Sequence, residues 1–395
     1  MSDFVKNTLD EIESRLNKIE SGGVNCIPSH FTRFINDFPG IQQKKYYLIT
    51  AATKMSKTQF GSNVFIYNSL DFAMNNPESV RVRIFYCNLE EDIDTIIQRY
   101  ISYLLYTLNR IRISVEDLNS TSTALDRSIL ELIKTEEYVK RLNYFNEHVT
   151  FIDASNPTGI NQVVKEYYNN NGRTIYEPII DPHIGKPIKD ELGREIKKFV
   201  RYEPVDPDEY VILFVDHIGL ISTENGLDLR NSISKLSAKY LVSLRNRYKC
   251  IPVVLQQQSV ETENIEAIRN NMMWPSIAGL ADCKYTAKDD NLCLGLYSPF
   301  KFQREYEHQY DINKFQDNIR FVKVLNNRGG VQGGISPLFF DGACCYFSEL
   351  PRPDDHNKIE RWYEYLEKIR GHQNKNKSFF IFKNKQNGKN CSYLR

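Results

Sequence analysis

Tyr46-Tyr47-Leu48-Ile49-Thr50-Ala51-Ala52-Thr53-Lys54-Met55-Ser56-Lys57-Thr58 runs from a short apolar stretch through a polar turn into the start of a helical pattern. The apolar stretch is too short for a buried helix and reads as a buried strand. Beyond the turn, Phe60, Val64, Tyr67 and Leu70 recur at three- and four-residue spacing, as one face of a helix does. A turn between a strand and a helix is suited to phosphate. Its backbone N–H groups can wrap the anion, Lys57 can reach the β/γ oxygens, and the Thr58 hydroxyl can face Mg²⁺. Residues Ala52, Thr53, Lys54, Met55, Ser56, Lys57 and Thr58 therefore form a candidate phosphate loop. The loop is irregular, because Ala51 and Ser56 stand where such loops ordinarily carry glycine. Glycine is favoured there because the backbone must come close to the phosphate, in torsions that side chains resist. Serine is small, so the expectation is a surviving loop with weaker binding. A lone Ser-Lys-Thr is a weak signal, and its partners decide the reading.

The strand–turn–helix pattern repeats outward from this point. Short apolar runs recur at Ile84-Phe85-Tyr86-Cys87, Thr150-Phe151-Ile152, Val211 to Val215, Ile251 to Leu255, Leu292 to Tyr297 and Ile319 to Leu325. Helical patterns separate most of them, notably Asp92 to Leu108 and Leu227 to Tyr248. Such alternation predicts an α/β fold with a mostly parallel central sheet and helices on both faces. Leu338-Phe339-Phe340-Asp341-Gly342 and Cys345-Tyr346-Phe347 predict a C-terminal antiparallel hairpin extension. Residues 172–208, rich in proline, glycine and charge, break the pattern and read as an insertion, with a mobile hairpin as its candidate form.

Three further features lie where strands end. Tyr210 to Val215 is an apolar strand closed by Asp216, which can hold Mg²⁺ through water. Asn88-Leu89-Glu90-Glu91 follows the strand at 84–87, and Glu90 there can polarise an attacking water. Leu255-Gln256-Gln257-Gln258 ends another strand with amides able to sense a γ-phosphate. Ligands of open α/β sheets bind at the carboxyl ends of the strands, where all four features fall.

Composition narrows the class. The chain has 395 residues, 41% hydrophobic and 26% charged, which fits a soluble enzyme. A net charge of +1 gives no global basic field, so any nucleic-acid contact must be local. The eight cysteines show no CxxC spacing, which argues against a zinc ribbon or disulfide framework and for a reducing compartment. No apolar run reaches membrane-spanning length, and the expectation is a cytoplasmic protein without a membrane partner. At the N-terminus, Val5, Leu9, Ile12, Leu16 and Ile19 are spaced 4-3-4-3 and end at Gly22-Gly23. This predicts a helix with one narrow apolar stripe, to be covered by its own domain or by a neighbouring subunit. Residues 371–395 hold five lysines and one arginine with no acid, and read as a solvated basic arm.

The order of these segments resembles the DnaB-type hexameric replicative DNA helicases, whose motor is a RecA-like P-loop NTPase domain. Ile27-Pro28-Ser29-His30-Phe31 and Pro39-Gly40 are similar to the segment ahead of that family's phosphate loop. Asn88-Leu89-Glu90 sits where the family has Ser-Leu-Glu, and Asp216-His217-Ile218-Gly219-Leu220 where it has its Walker B segment. Gln258, six residues after Pro252, matches the spacing of the sensor glutamine, with Gln257 as its neighbour. Asn326-Asn327-Arg328-Gly329-Gly330 is similar to the family's Lys-x-Arg-Asn-Gly. The resemblance covers about residues 27–350, and it departs from the family at Ser56, at Asn326 and in the missing N-terminal helical domain. Size and divergence suggest a phage-type member, which would work in the host cytoplasm.

The resemblance implies residues 1–26 as a linker-type helix, 27–350 as the ATPase domain with the 172–208 insertion, and 351–395 as a C-terminal helix and tail. It implies ATP and Mg²⁺ held by 52–58 and Asp216, with Thr58 and Asp216 on the metal side. Glu90 would align water, Gln258 would sense the γ-phosphate, and Arg328 would reach across a subunit boundary as a finger. Single-stranded DNA would thread a homo-oligomeric ring, gripped by loops near 222–230 and 259–275, the latter with Arg269, Asn270 and Asn271. Primase or a helicase loader would be further partners. Two other readings share the fold: a ring or DNA-binding protein with little hydrolysis, motivated by Ser56 and Asn326, and a RecA-type recombinase or loader ATPase.

Overall fold

The computed structural model describes residues 3–270 and 272–386. Asn271 and the end of the basic tail lie outside the described residues. The chain begins with α1 (Asp3–Glu20) and enters the sheet at β1 (Tyr47–Ala51). Helix α2 occupies 57–75, with a π-helical stretch at Ser62–Tyr67. Then come β2 (Arg81–Asn88), α3 (Ile93–Asn109), α4 (Glu136–His148), β3 (Val149–Phe151) and α5 (Pro157–Asn170). Beyond the insertion follow β4 (Glu209–Asp216), α6 at 229–248, β5 (Ile251–Gln257) and β6 (Leu292–Tyr297). The chain closes with β7 (Ile319–Asn327), β8 (Ile335–Asp341), β9 (Tyr346–Glu349) and α7 (His356–Gln386).

These nine strands form one sheet in the order β9-β8-β7-β6-β1-β5-β4-β2-β3. From β6 to β3 neighbouring strands are parallel, and β6 through β9 pair antiparallel. The mostly parallel sheet with an antiparallel extension is therefore the observed fold. Parallel strands covered on both faces read as continuous apolar runs rather than alternating ones. Tyr210 to Asp216 of β4 is buried at every position. One face is packed by α2, α3, α4 and α7, through Phe60, Val64, Leu70, Ile96, Tyr138 and Leu366. The other is packed by α5 and α6, through Ile160, Val164, Leu236 and Leu244.

The insertion is an antiparallel hairpin, Gly172–Pro178 against Lys197–Pro204, rooted on an aromatic cluster. Tyr202 donates its hydroxyl proton to the Tyr168 carbonyl (2.9 Å) and meets the Tyr248 ring edge-on at 5.1 Å. It leaves the sheet at the start of β4, the end opposite Asp216. In α1 the apolar stripe faces outward: Val5, Leu9, Ile12, Leu16 and Ile19 are all about half exposed. Its polar side holds the domain instead, through Glu11 to Lys44 (3.0 Å) and Lys18 to Asp208.

Gly61 fixes how closely α2 lies on the sheet. A Cβ there would sit 2.9 Å from Phe214 Cζ and 3.3 Å from a Leu255 methyl, both in buried strands. Gly61→Ala is accordingly expected to destabilise the protein by about 1–3 kcal/mol despite alanine's better helix propensity. Urea unfolding of the variant against wild type measures this.

Candidate nucleotide-binding site

The site grows from the register of three parallel strands. Ala51 of β1 pairs with Gln257 of β5, and Asn88 of β2 pairs with Asp216 of β4. The loop after β1, the acid ending β4 and the turn after β2 thus emerge on one edge. The Leu89 N–H donates to the Asp216 carbonyl (3.0 Å), which sets Glu90 just beyond Asp216.

The loop adopts an anion-cradle shape without the usual glycine. Ser56 takes φ 66° and ψ 30°, and Lys54 takes φ 59°, both in the left-handed region. For a residue with a Cβ this costs on the order of 1–2 kcal/mol. α2 begins directly after it, so its N-terminal amides point into the loop. Thr53 and Lys54 are exposed, while Met55 and Lys57 are buried. A clamp from outside the loop holds its first turn: the Thr53 N–H donates to Glu263 Oε1 (3.0 Å). Lys301 donates to both the Thr53 carbonyl and Glu263 Oε2 at 2.6 Å.

Around the loop the charges converge. Thr58 donates its hydroxyl proton to Asp216 Oδ1 (3.2 Å), and Tyr86 donates to Oδ2 (3.4 Å). Burial pushes the Lys57 ammonium down from its ordinary pKa, and the negative charges of Asp216 and then Glu90 oppose that. Burial pushes the Asp216 carboxyl up to about 6 against the pull of Lys57 and the Thr58 hydroxyl. Of the two adjacent acids, Glu91 is tied to Arg99, while Glu90 is half exposed with Oε2 3.9 Å from His217 Nε2. Thr58 and Asp216 supply a hydroxyl and a carboxylate side by side, the oxygen donors that Mg²⁺ takes together with phosphate and water.

The glutamines divide differently from their spacing. Gln258 turns inward and is fully engaged: its amide donates to Thr50 Oγ1 (2.8 Å) and the Ser276 carbonyl (3.0 Å), and its oxygen accepts from the Ser276 N–H (3.1 Å). Gln257 instead lies at the site, with Nε2 3.2 Å from His217 Nε2. Burial, and then Lys57, hold the His217 imidazole down at about 4, so the ring is neutral. Its Nδ1 is buried without a hydrogen-bond partner. His217 thus bonds to Gln257 and lies near Glu90, a position that its place after Asp216 alone does not announce.

Arg328 lies elsewhere. Asn327 pairs with Leu292 of β6, and Leu292 pairs with Tyr47, so Arg328 stands beside the start of β1 while the loop follows its end. The Arg328 N–H donates to the Asn291 carbonyl (3.0 Å), and its guanidinium donates to the Lys288 carbonyl. The structure brings Lys57, Thr58, Asp216 and Glu90 together and keeps Arg328 away from them. A cavity of about 1180 Å³ also lies elsewhere, lined by Tyr106, Arg110, Tyr346, Arg352, Arg361 and Trp362 among others.

No family model matches the chain, and no curated protein matches it. Solved structures do. The ATPase domain of G40P aligns with a TM-score of 0.59 at 17% identity, over 89% of this chain and 100% of that one. A DnaB-like replicative helicase, described with its primase interactions, aligns with a TM-score of 0.61 at 16% identity, over 89% of this chain and 68% of that one. The chain thus has the RecA-like fold of DnaB-like helicase ATPase domains. No described helix is long and apolar enough to cross a membrane.

The raised Asp216 pKa carries a sign. The folded chain keeps this proton up to about pH 6, whereas an unfolded aspartate releases it near 3.8, so Asp216 costs stability increasingly as pH rises across that interval. Asp216→Asn removes the titration. Relative to wild type, the free variant is expected to gain up to about 3 kcal/mol between pH 4 and pH 6.5. Denaturant unfolding of both proteins across that range checks it.

Proposed function

We propose that this protein is an ATP-driven, ring-forming DNA helicase motor of DnaB type. The observation that carries the reading is the convergence of Lys57, Thr58, Asp216 and Glu90 on one edge of a RecA-like sheet, with Arg328 on the opposite edge. Residues 52–58 hold the triphosphate, with Lys57 on the β/γ oxygens. Thr58 and Asp216, whose oxygens lie side by side, would hold Mg²⁺. When bound, Mg²⁺ neutralises charge on the phosphates. Glu90 aligns the attacking water, and Gln257, through His217, reports the γ-phosphate to the strand end. Gln258 serves to brace β5 against the loop at Ser276.

Arg328 fits a role between subunits. Four residues of strand, roughly 13 Å, separate its level from the end of β1, and the phosphate loop lies beyond that. It cannot serve its own loop, but it can serve a neighbour's in a head-to-tail ring. The outward stripe of α1 fits the same assembly, since its apolar face is uncovered by its own domain while its polar face is anchored. Single-stranded DNA would contact the loops after β4 and β5, at 222–230 and 259–275, which leave the sheet on the phosphate-loop edge.

Turnover stimulated by single-stranded DNA is expected from the purified protein. Lys57→Ala and Glu90→Gln should each reduce it by at least ~100-fold. Turnover indifferent to Lys57→Ala contradicts the motor reading. Nucleotide-dependent DNA binding without turnover favours the reading in which the irregular loop has left a non-hydrolysing ring.

The assembly part is tested separately. Leu9→Glu combined with Ile12→Glu is expected to shift the protein from oligomer to monomer in light scattering, with its circular dichroism unchanged. An unaltered oligomer rules out α1 as the docking element.

A further inference from the structure

Arg320 is almost wholly buried, at 1% exposure, on β7. Nothing in its sequence neighbourhood marks it, and a buried arginine is rare unless every donor finds an acceptor. Its donors do. Nε donates to the Met55 carbonyl (3.4 Å) and Nη2 to Ser56 Oγ (3.3 Å), while Nη1 donates to the Asp317 and Ile319 carbonyls at 2.7 and 2.9 Å. Asp317 adds an ion pair at 2.9 Å, and the guanidinium lies 4.4 Å from the centre of the Phe340 ring.

Two of these contacts fall on the two loop residues that precede Lys57. One of them is Ser56, whose left-handed backbone a glycine would adopt without strain. The other is the Met55 carbonyl, whose direction is fixed by the peptide plane it shares with the Ser56 N–H. Holding that oxygen inward turns the N–H outward, toward the phosphate side. A serine hydroxyl at the same position gives the arginine a second handle that glycine could not offer. Ser56 and Arg320 therefore complement each other: the substitution that strains the loop also supplies the group by which it is held.

We infer that Arg320 is a positioning residue that locks the serine-bearing phosphate loop in its anion-binding shape, in place of the conformational freedom of glycine. This inference rests on the nucleotide-binding reading of the loop, and it concerns a residue 264 positions away in sequence. Without Arg320, the Ser56 backbone is free to relax out of the left-handed region, and the amide cradle opens. With glycine at position 56 the left-handed shape carries little strain, and the loop no longer depends on the arginine.

The test is a double-mutant cycle of wild type, R320M, S56G and S56G/R320M. Methionine keeps most of the buried volume without the donors. Two readouts apply to each protein: affinity for Mg-ADP by calorimetry, and the shift in unfolding midpoint on adding Mg-ADP. R320M is expected to weaken Mg-ADP binding about tenfold or more in the wild-type background, and less than threefold when S56G is already present. Equal losses in both backgrounds overturn the inference, because Arg320 then acts only as a core residue. Should R320M fail to fold, recovery of a folded, Mg-ADP-binding protein in S56G/R320M supports the inference, and its absence contradicts it. If wild type itself shows no affinity for Mg-ADP, the nucleotide reading falls and this inference falls with it. If wild type binds and the losses are equal, only this inference falls.

Discussion

The contact between the Thr58 hydroxyl and the Asp216 carboxylate, 3.2 Å apart, joins the first helical turn after β1 to the end of β4. The candidate site is arranged around that junction. It exists because β1, β5 and β4 run parallel and adjacent, which brings two distant segments of chain out on one edge. A carboxylate and an ammonium are buried there together, a costly arrangement in a low-dielectric interior unless the charges are paired or await a charged ligand. The directions of the shifts agree: burial disfavours charge on both Lys57 and Asp216, and each relieves the other. A site in this condition would suit a polyanion with its metal, which would satisfy both charges at once.

The irregular loop is a local solution within this frame. Its shape is imposed by neighbours rather than by its own sequence: α2 begins at Lys57, Glu263 and Lys301 clamp Thr53, and Arg320 reaches Met55 and Ser56 from beneath. The clamp also connects the phosphate loop to the segment after β5, so a ligand that rearranged the Thr53 amide would be felt at 259–264. The proposed ring would suit the same arrangement, since Arg328, distant from its own loop, and the outward α1 stripe would each find a partner on a second copy.

Most of the fold was legible from patterning. The buried parallel strands read as continuous apolar runs, and helix limits such as 92–108 differ from the observed Ile93–Asn109 by one residue. Asp216 and Glu90 stand out in the sequence because acids ending apolar strands leave a local signature, and the fold sets them on one edge with Lys57. Gln258 and Gln257 could not be separated by spacing, because which amide faces the site depends on strand pleat and on the turn at Ser276. His217 was visible only as a neighbour of Asp216. Arg320 left no trace in the sequence, because its partners are set by the register of β7 and the path of the chain beneath the loop. The hairpin in 172–208 agrees with the reading of that stretch as an inserted hairpin, since its prolines and charges suit an arm projecting from the sheet rather than a strand within it.

The central claim is that residues 52–58 wrap a triphosphate that is completed by a second subunit. The most direct measurement is a structure of the assembled protein with a non-hydrolysable ATP analogue and Mg²⁺. The account requires the phosphates against the Ser56 and Lys57 amides, Mg²⁺ beside Thr58 and Asp216, and Arg328 of a neighbouring subunit at the γ-phosphate. Analogue bound away from this loop, or a γ-phosphate with no residue from a second subunit near it, would contradict the account.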